Sequence, residues 1–249
     1  MATLVDAPVS MTVSYRHANS LPGQASEKTE PWAFADLESM VSASPWRTFR
    51  WRRGQRHYSG TFWSATADNH VIYESRLELA RLLFADFDLS VYRISAQPFL
   101  LRAEVDGAIR KHIPDYLLLT GTGTVVVDVK PRHRVHRPDT AFTFAWTRQM
   151  VESRGWRYEV WSEPPPDELE NVRFLAGYRR SWLFDQELLA ELRAADLDGA
   201  TFAEACRSRP DRPAALVRSA VLHLLWRQHF TVDLTRRLSN AHVLRSAAG

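Results

Sequence analysis

His112-Ile-Pro-Asp-Tyr-Leu-Leu-Leu-Thr-Gly-Thr-Gly-Thr-Val-Val-Val-Asp-Val-Lys-Pro131 holds two apolar runs joined by Gly-Thr-Gly. Runs of this length and composition, bounded by Pro and Gly, read as the two strands of a hairpin. Three charged residues interrupt them: Asp115, Asp128 and Lys130. Side chains alternate along a strand, so Thr124, Val126, Asp128 and Lys130 share one face and Val125, Val127 and Val129 take the other. Residue numbers paired across an antiparallel hairpin have a constant sum. A two-residue loop of Gly121-Thr122 therefore sets Asp115 opposite Asp128, and a loop of Thr122-Gly123 sets it opposite Lys130. Either register brings all three groups to one face. A three-residue loop puts Asp115 on the other face unless a bulge corrects it.

Two carboxylates beside an ammonium, at the end of a mostly apolar hairpin, are costly to desolvate unless something pairs with them. A divalent cation is one such partner, because Mg²⁺ takes hard oxygen ligands, keeps several waters and needs few carboxylates near a phosphate. The plainer reading is a surface Asp–Lys pair worth about 0–1 kcal/mol. Composition weighs against it. The basic residues are nearly all Arg, and only Lys28, Lys111 and Lys130 are Lys. A compact ammonium and a planar guanidinium are not interchangeable in a tight metal-and-phosphate site, so Lys130 is singled out by its type.

With 45% hydrophobic residues the chain has enough apolar content for one larger domain and a small second one. A single cysteine, Cys206, permits no internal disulfide and no Cys-based zinc site, which fits a reducing cytoplasm. No apolar run reaches membrane-span length and no signal-peptide pattern opens the sequence, so a soluble cytoplasmic protein without a membrane partner is expected. Net charge is +3 with a pI near 9.2. That excess is informative where it clusters. Arg47, Arg50, Arg52, Arg53 and Arg56 interleave with Trp46, Phe49 and Trp51, and Arg132, Arg134 and Arg137 follow directly after Lys130. Cations mixed with aromatics suit phosphate contacts and stacking, as on double-stranded DNA.

Residues 1–40 show no sustained periodicity and read as a flexible N-terminal arm. Residues 46–73 read as two or three short strands. Glu74 to Asp86 reads as a mostly buried helix, with Leu77, Ala80 and Phe84 at helical spacing. On it, Glu78 either pairs with Arg81 or faces the Asp115/Asp128 cluster. Val91–Ile94 and Gln97–Arg102 read as strands. Thr140–Ser153 reads as an amphipathic helix capped by Gly155, and Trp156–Trp161 as a strand returning in parallel after that crossover. Glu163-Pro-Pro-Pro-Asp167 reads as a rigid linker. Beyond it, helices are expected at Trp182–Ala195, Thr201–Arg207 and Arg212–Gln228, with short strands at Phe230–Leu234 and His242–Leu244. That order fits a winged helix-turn-helix or a small protein-docking module. The organisation is an arm (1–40), a mixed α/β domain (41–165) and a C-terminal helical, winged-helix-like domain (166–249).

The order Glu78, Pro114-Asp115, Asp128-Val-Lys130 on helix, strand and strand resembles the PD-(D/E)xK nuclease core. More narrowly it is similar to the TnsA-like endonuclease subunit of heteromeric transposases. The matching pieces are Tyr73-Glu-Ser-Arg-Leu-Glu-Leu-Ala80, the Gln97-Pro98 strand, Pro114-Asp-Tyr-Leu, Val127-Asp-Val-Lys-Pro131 and Gly155-Trp-Arg-Tyr-Glu-Val-Trp161. Some members of that family carry Gln where Asp128 stands, so this chain has the more general nuclease form. The resemblance implies an α/β fold: a restriction-endonuclease-like mixed sheet with flanking helices and a small winged-helix-like domain. It implies Glu78, Asp115, Asp128 and Lys130 as catalytic residues. Mg²⁺, with Mn²⁺ as a substitute, would be held by Glu78, Asp115, Asp128 and the Val129 carbonyl. DNA contacts would come from Arg50, Arg52, Arg53, Arg132, Arg134 and Arg137. The implied activity is cutting one strand at transposon ends beside a TnsB-like DDE transposase and a TnsC-like AAA+ ATPase. A stand-alone restriction- or repair-type nuclease and a catalytically silent DNA-binding subunit are the alternatives.

Overall fold

The computed structural model describes residues 6–18, 25–46 and 58–246. Two units result, Met1–Ala85 with Ser90–Glu163, and Asp86–Leu89 with Pro164–Gly249. In chain order the first carries β1 (Val9–Ala18), β2 (Ala25–Pro31), α1 (Leu37–Val41), β3 (Gly60–Ser64), β4 (Asn69–Tyr73) and all but the last two residues of α2 (Arg76–Phe87). It continues with β5 (Val91–Ala96), β6 (Leu100–Val105), β7 (Ala108–His112), β8 (Tyr116–Thr120) and β9 (Gly123–Val129). The short α3 (Arg132–Val135), the long α4 (Pro138–Glu152) and β10 (Arg157–Trp161) complete it. The chain is mixed α/β.

Two four-stranded sheets organise the first unit. One has the order β2-β1-β6-β7 and is antiparallel throughout; the other has the order β10-β9-β8-β5. In the second, β10 runs parallel to β9 and the remaining pairs are antiparallel. The parallel return follows from the α4 crossover, as its amphipathic pattern requires. Strands β8 and β9 are buried on both faces apart from the start of β9, which is why their sequence is almost continuously apolar. Val13, Tyr15, Leu101, Leu117, Val126, Trp146 and Met150 belong to one core that the two sheets and α4 share.

The N-terminal arm expected over residues 1–40 is corrected where the residues are described, at 6–18 and 25–40. Val9, Met11, Val13 and Tyr15 alternate with polar residues, and Val13 and Tyr15 are fully buried in the shared core. Strand β2, Ala-Ser-Glu-Lys-Thr-Glu-Pro, has no apolar face; it is a strand because β1 supplies its ladder from Thr12–Pro31 to Ala18–Ala25. The strand expected at Gln97–Arg102 also starts late. Gln97 has φ +46°, which breaks the extended run before β6 begins at Leu100.

The second unit holds α5 (Pro166–Leu175), α6 (Gln186–Ala194), α7 (Phe202–Ala205), α8 (Ala214–Trp226) and the two-residue strands β11 (Phe230–Thr231) and β12 (Arg245–Ser246). Here the linker expected through Asp167 gives way to helix at Pro166, with proline in the first turn and Asp167 and Glu168 at the positive helix end. The helix expected from Trp182 starts at Gln186, because Asp185 caps it by accepting from the Glu187 and Leu188 N–H groups. Thr201 and Glu204 form the capping box their spacing implies. The strand expected at Phe230–Leu234 is cut to Phe230–Thr231, and the one expected at His242–Leu244 lies instead at Arg245–Ser246, where the ladder pairs Phe230 with Ser246 and Thr231 with Arg245.

Candidate active site

The β8–β9 ladder runs from Thr120–Gly123 to Tyr116–Val127, so Gly121-Thr122 is the loop. This loop is the first of the two that the sequence allowed, and extending its register by one residue past Tyr116–Val127 sets Asp115 opposite Asp128. The turn has local causes. Gly123 adopts φ +122°, a region open to glycine, and the Thr120 hydroxyl donates to the Gly123 carbonyl at 2.7 Å. Asp115 is fixed on both sides of its backbone: its N–H donates to the Val127 carbonyl (3.0 Å) and its carbonyl accepts from the Gln97 N–H (2.8 Å). Its carboxylate accepts from the Val129 N–H at 2.6 Å.

Asp128 is 2% exposed. Its two oxygens lie 2.9 and 2.8 Å from Nε2 of His112, and the buried Tyr158 hydroxyl donates to one of them. His112 ends β7 and Tyr158 lies on β10, paired beside Val126, so three strands meet at this carboxylate. The His112 ring packs edge-on against buried Trp146.

Glu78 reaches the same pocket from α2 while also capping that helix. Its carboxylate accepts from the Glu74 N–H (2.7 Å) and the Ser75 hydroxyl (2.8 Å), and Ser75 accepts in turn from the Glu78 N–H (3.1 Å). Arg81, the partner proposed for Glu78 in the plainer reading, instead pairs with Glu159 at 2.9 Å. Lys130 is held by its backbone: its N–H donates to the Trp161 carbonyl and its carbonyl accepts from the Ser162 hydroxyl. Its half-buried ammonium closes no ion pair among the described residues.

Glu78, Asp115, Asp128, the Val129 backbone and Lys130 line one pocket of about 420 Å³ together with His112 and Lys111. The electrostatics are those of an under-compensated carboxylate cluster. Burial first, then the charges of Asp128 and Glu78, raise the Asp115 carboxyl well above the ordinary range, against the Val129 N–H and Lys130. Burial likewise raises the Glu78 carboxyl. A cation would relieve this repulsion. Among the described residues no three His, Cys, Asp or Glu side chains form a metal-holding group. The oxygen set is the two Asp carboxylates, with Glu78 committed to its cap and Glu74 accepting from the Gln97 side-chain amide at 2.7 Å, and Mg²⁺ with its own waters needs no more than one or two carboxylates.

Of the expected DNA contacts, Arg132, Arg134 and Arg137 are exposed on and after α3, with the Arg132 guanidinium donating to the Glu163 carbonyl at 3.1 Å. Arg50, Arg52 and Arg53 lie outside the described residues. Sequence reading missed His112, Tyr158 and the helix-capping role of Glu78. Ser75-Arg-Leu-Glu78 carries the capping signal openly, whereas His112 and Tyr158 are separated from Asp128 by 16 and 30 residues and give no local one. Comparison with known proteins matches no family model and no curated protein.

Proposed function

We propose that this chain is a metal-dependent DNA endonuclease with a restriction-endonuclease-like core, which cuts one strand at transposon ends as the TnsA-like subunit of a heteromeric transposase. The observation that carries the reading is the convergence of Glu78, Asp115, Asp128 and Lys130, from one helix and two paired strands, on a single pocket. In this reading the second unit is a small winged-helix-like domain. The partners are double-stranded DNA, a TnsB-like DDE transposase and a TnsC-like AAA+ ATPase.

Asp115 and Asp128, with the Val129 carbonyl, would hold Mg²⁺ or Mn²⁺, and Glu78 would add negative charge directly or through water. A cation held there would supply Lewis acidity toward a phosphate and an attacking water. Lys130 positions that water and offsets charge developing on phosphorus. Arg132, Arg134 and Arg137 neutralise backbone phosphates beside the cut.

A second reading, a catalytically silent DNA-binding subunit, is favoured by two contacts. The Glu78 carboxylate is committed to its own helix cap, and Asp128 is engaged by His112 and Tyr158. Conversion of supercoiled plasmid to the nicked form separates the two. The endonuclease reading expects nicking in Mg²⁺ or Mn²⁺ that is lost in EDTA and in Asp115→Ala. Undiminished nicking in EDTA contradicts it, and DNA binding without nicking in either cation selects the silent subunit.

A further inference from the structure

Asp128 differs from Asp115 and Glu78 in that one donor faces both of its oxygens. Nε2 of His112 is nearly equidistant from them, at 2.9 and 2.8 Å, and the Tyr158 hydroxyl takes a further lone pair on one. The imidazole is not free to drift away. Its ring stands edge-on to Trp146, with centroids 6.2 Å apart and planes at 85°, and Trp146 is 1% exposed. A cation chelated by both oxygens of Asp128 also has to face both at once. That position is taken by the ring nitrogen, which leaves Asp128 free to offer a cation one oxygen.

We infer that His112 is a specificity-determining residue of the cation site: by facing both oxygens of Asp128 it restricts that carboxylate to one-oxygen ligation and favours Mg²⁺ and Mn²⁺ over Ca²⁺. The chemistry follows from the ions. Ca²⁺ takes six to eight oxygens in loose geometry and readily uses both oxygens of a carboxylate, whereas Mg²⁺ takes an octahedron of single oxygens at about 2.0–2.1 Å. A carboxylate confined to one oxygen loses little for the smaller ion and a ligand for the larger. Tyr158 touches one oxygen, so it steadies Asp128 without discriminating between ions. The inference rests on the pocket being a cation site, as proposed above.

Calorimetric titration of the DNA-free full chain with MnCl₂ and with CaCl₂ tests it. Wild type should bind Mn²⁺ more tightly than Ca²⁺. His112→Ala should shrink that preference about tenfold or more, the scale on which groups bonded to metal ligands act. His112→Phe, which keeps a ring against Trp146 and removes the N–H, should do the same and covers the case in which the alanine variant does not fold. Melting in EDTA establishes that each variant used is folded. Tyr158→Phe should weaken both ions together and leave the ratio unchanged. A folded His112 variant with the wild-type ratio, or a larger one, overturns the inference while leaving the nuclease reading intact. Wild type that binds neither ion removes the cation site itself, and with it both.

Discussion

On the antiparallel sheet β2-β1-β6-β7, Lys28 and Glu30 meet at 2.7 Å, and each is held in its charged form: the pairing lowers the Glu30 carboxyl and raises the Lys28 ammonium. At the end of the mixed sheet β10-β9-β8-β5, Asp115 is driven the other way, toward its neutral form, by burial and by Asp128 and Glu78. Both sheets carry an acid and a lysine two residues apart, Lys28 and Glu30 on β2, and Asp128 on β9 with Lys130 just past its end. The difference is that Glu30 and Lys28 sit at the solvent edge with their partners in contact, while the carboxylates of the pocket repel one another and Lys130 closes no ion pair among the described residues. A charge cluster shifted toward ionisation stabilises its fold; one shifted against ionisation is held there by the fold and is available to a ligand.

The largest expected effect is at Lys130. Lys130→Ala should lower single-turnover nicking by about 10²–10³, and Lys130→Arg by nearly as much, with little change in DNA affinity. A guanidinium is broader and would fork onto Asp115 or Asp128, competing for the oxygens a cation needs. An arginine variant that nicks like wild type would reduce Lys130 to an ordinary surface cation like Lys28. Next in size is Tyr158→Phe, which removes a hydroxyl bonded to Asp128 and should raise the Mn²⁺ concentration for half-maximal nicking about tenfold. An unchanged Mn²⁺ requirement would mean that the hydroxyl only fills space.

Smaller, and of opposite sign in the two sheets, are the effects on stability. A carboxyl whose pKa is raised by folding binds its proton more tightly in the folded state. Its contribution is therefore most favourable at acid pH and declines as pH rises from the ordinary carboxylate value through the raised one. Asp115→Asn should abolish that decline and raise the metal-free melting temperature at neutral pH by about 2–4 °C, the shift expected for ~1 kcal/mol in a chain of this size. Glu30 runs in reverse. Its lowered pKa contributes stability above the ordinary value that is lost as pH falls, so Glu30→Gln should lower the melting temperature slightly at neutral pH and not at acid pH. Thermal melts between acid and neutral pH check both, and slopes of the same sign would erase the contrast between the sheets.

Much of this contrast was legible in the sequence where it depended on period and register. Alternation on β9 and a two-residue loop were enough to place Asp115 and Asp128 on one face, and the crossover through α4 was enough to make β10 parallel. What could not be read depended on other strands. β2 has no apolar pattern and exists through its ladder with β1. His112 and Tyr158 meet Asp128 only once β7, β9 and β10 are assembled. Two local signals are also present: the alternation of Val9, Met11, Val13 and Tyr15 among polar residues, and the Ser75-x-x-Glu78 spacing, in which Ser75 accepts from the Glu78 N–H while Glu78 accepts from the Glu74 N–H.

The central claim is that the pocket lacks a positive charge that a divalent cation supplies. It is tested most directly by melting wild type and Asp115→Asn across pH with and without Mn²⁺. Mn²⁺ should stabilise wild type, by about 2.7 kcal/mol at a hundredfold excess over its Kd, and remove the decline in stability with rising pH, while Asp115→Asn should gain far less. Equal stabilisation of the two proteins, or none of either, would contradict it.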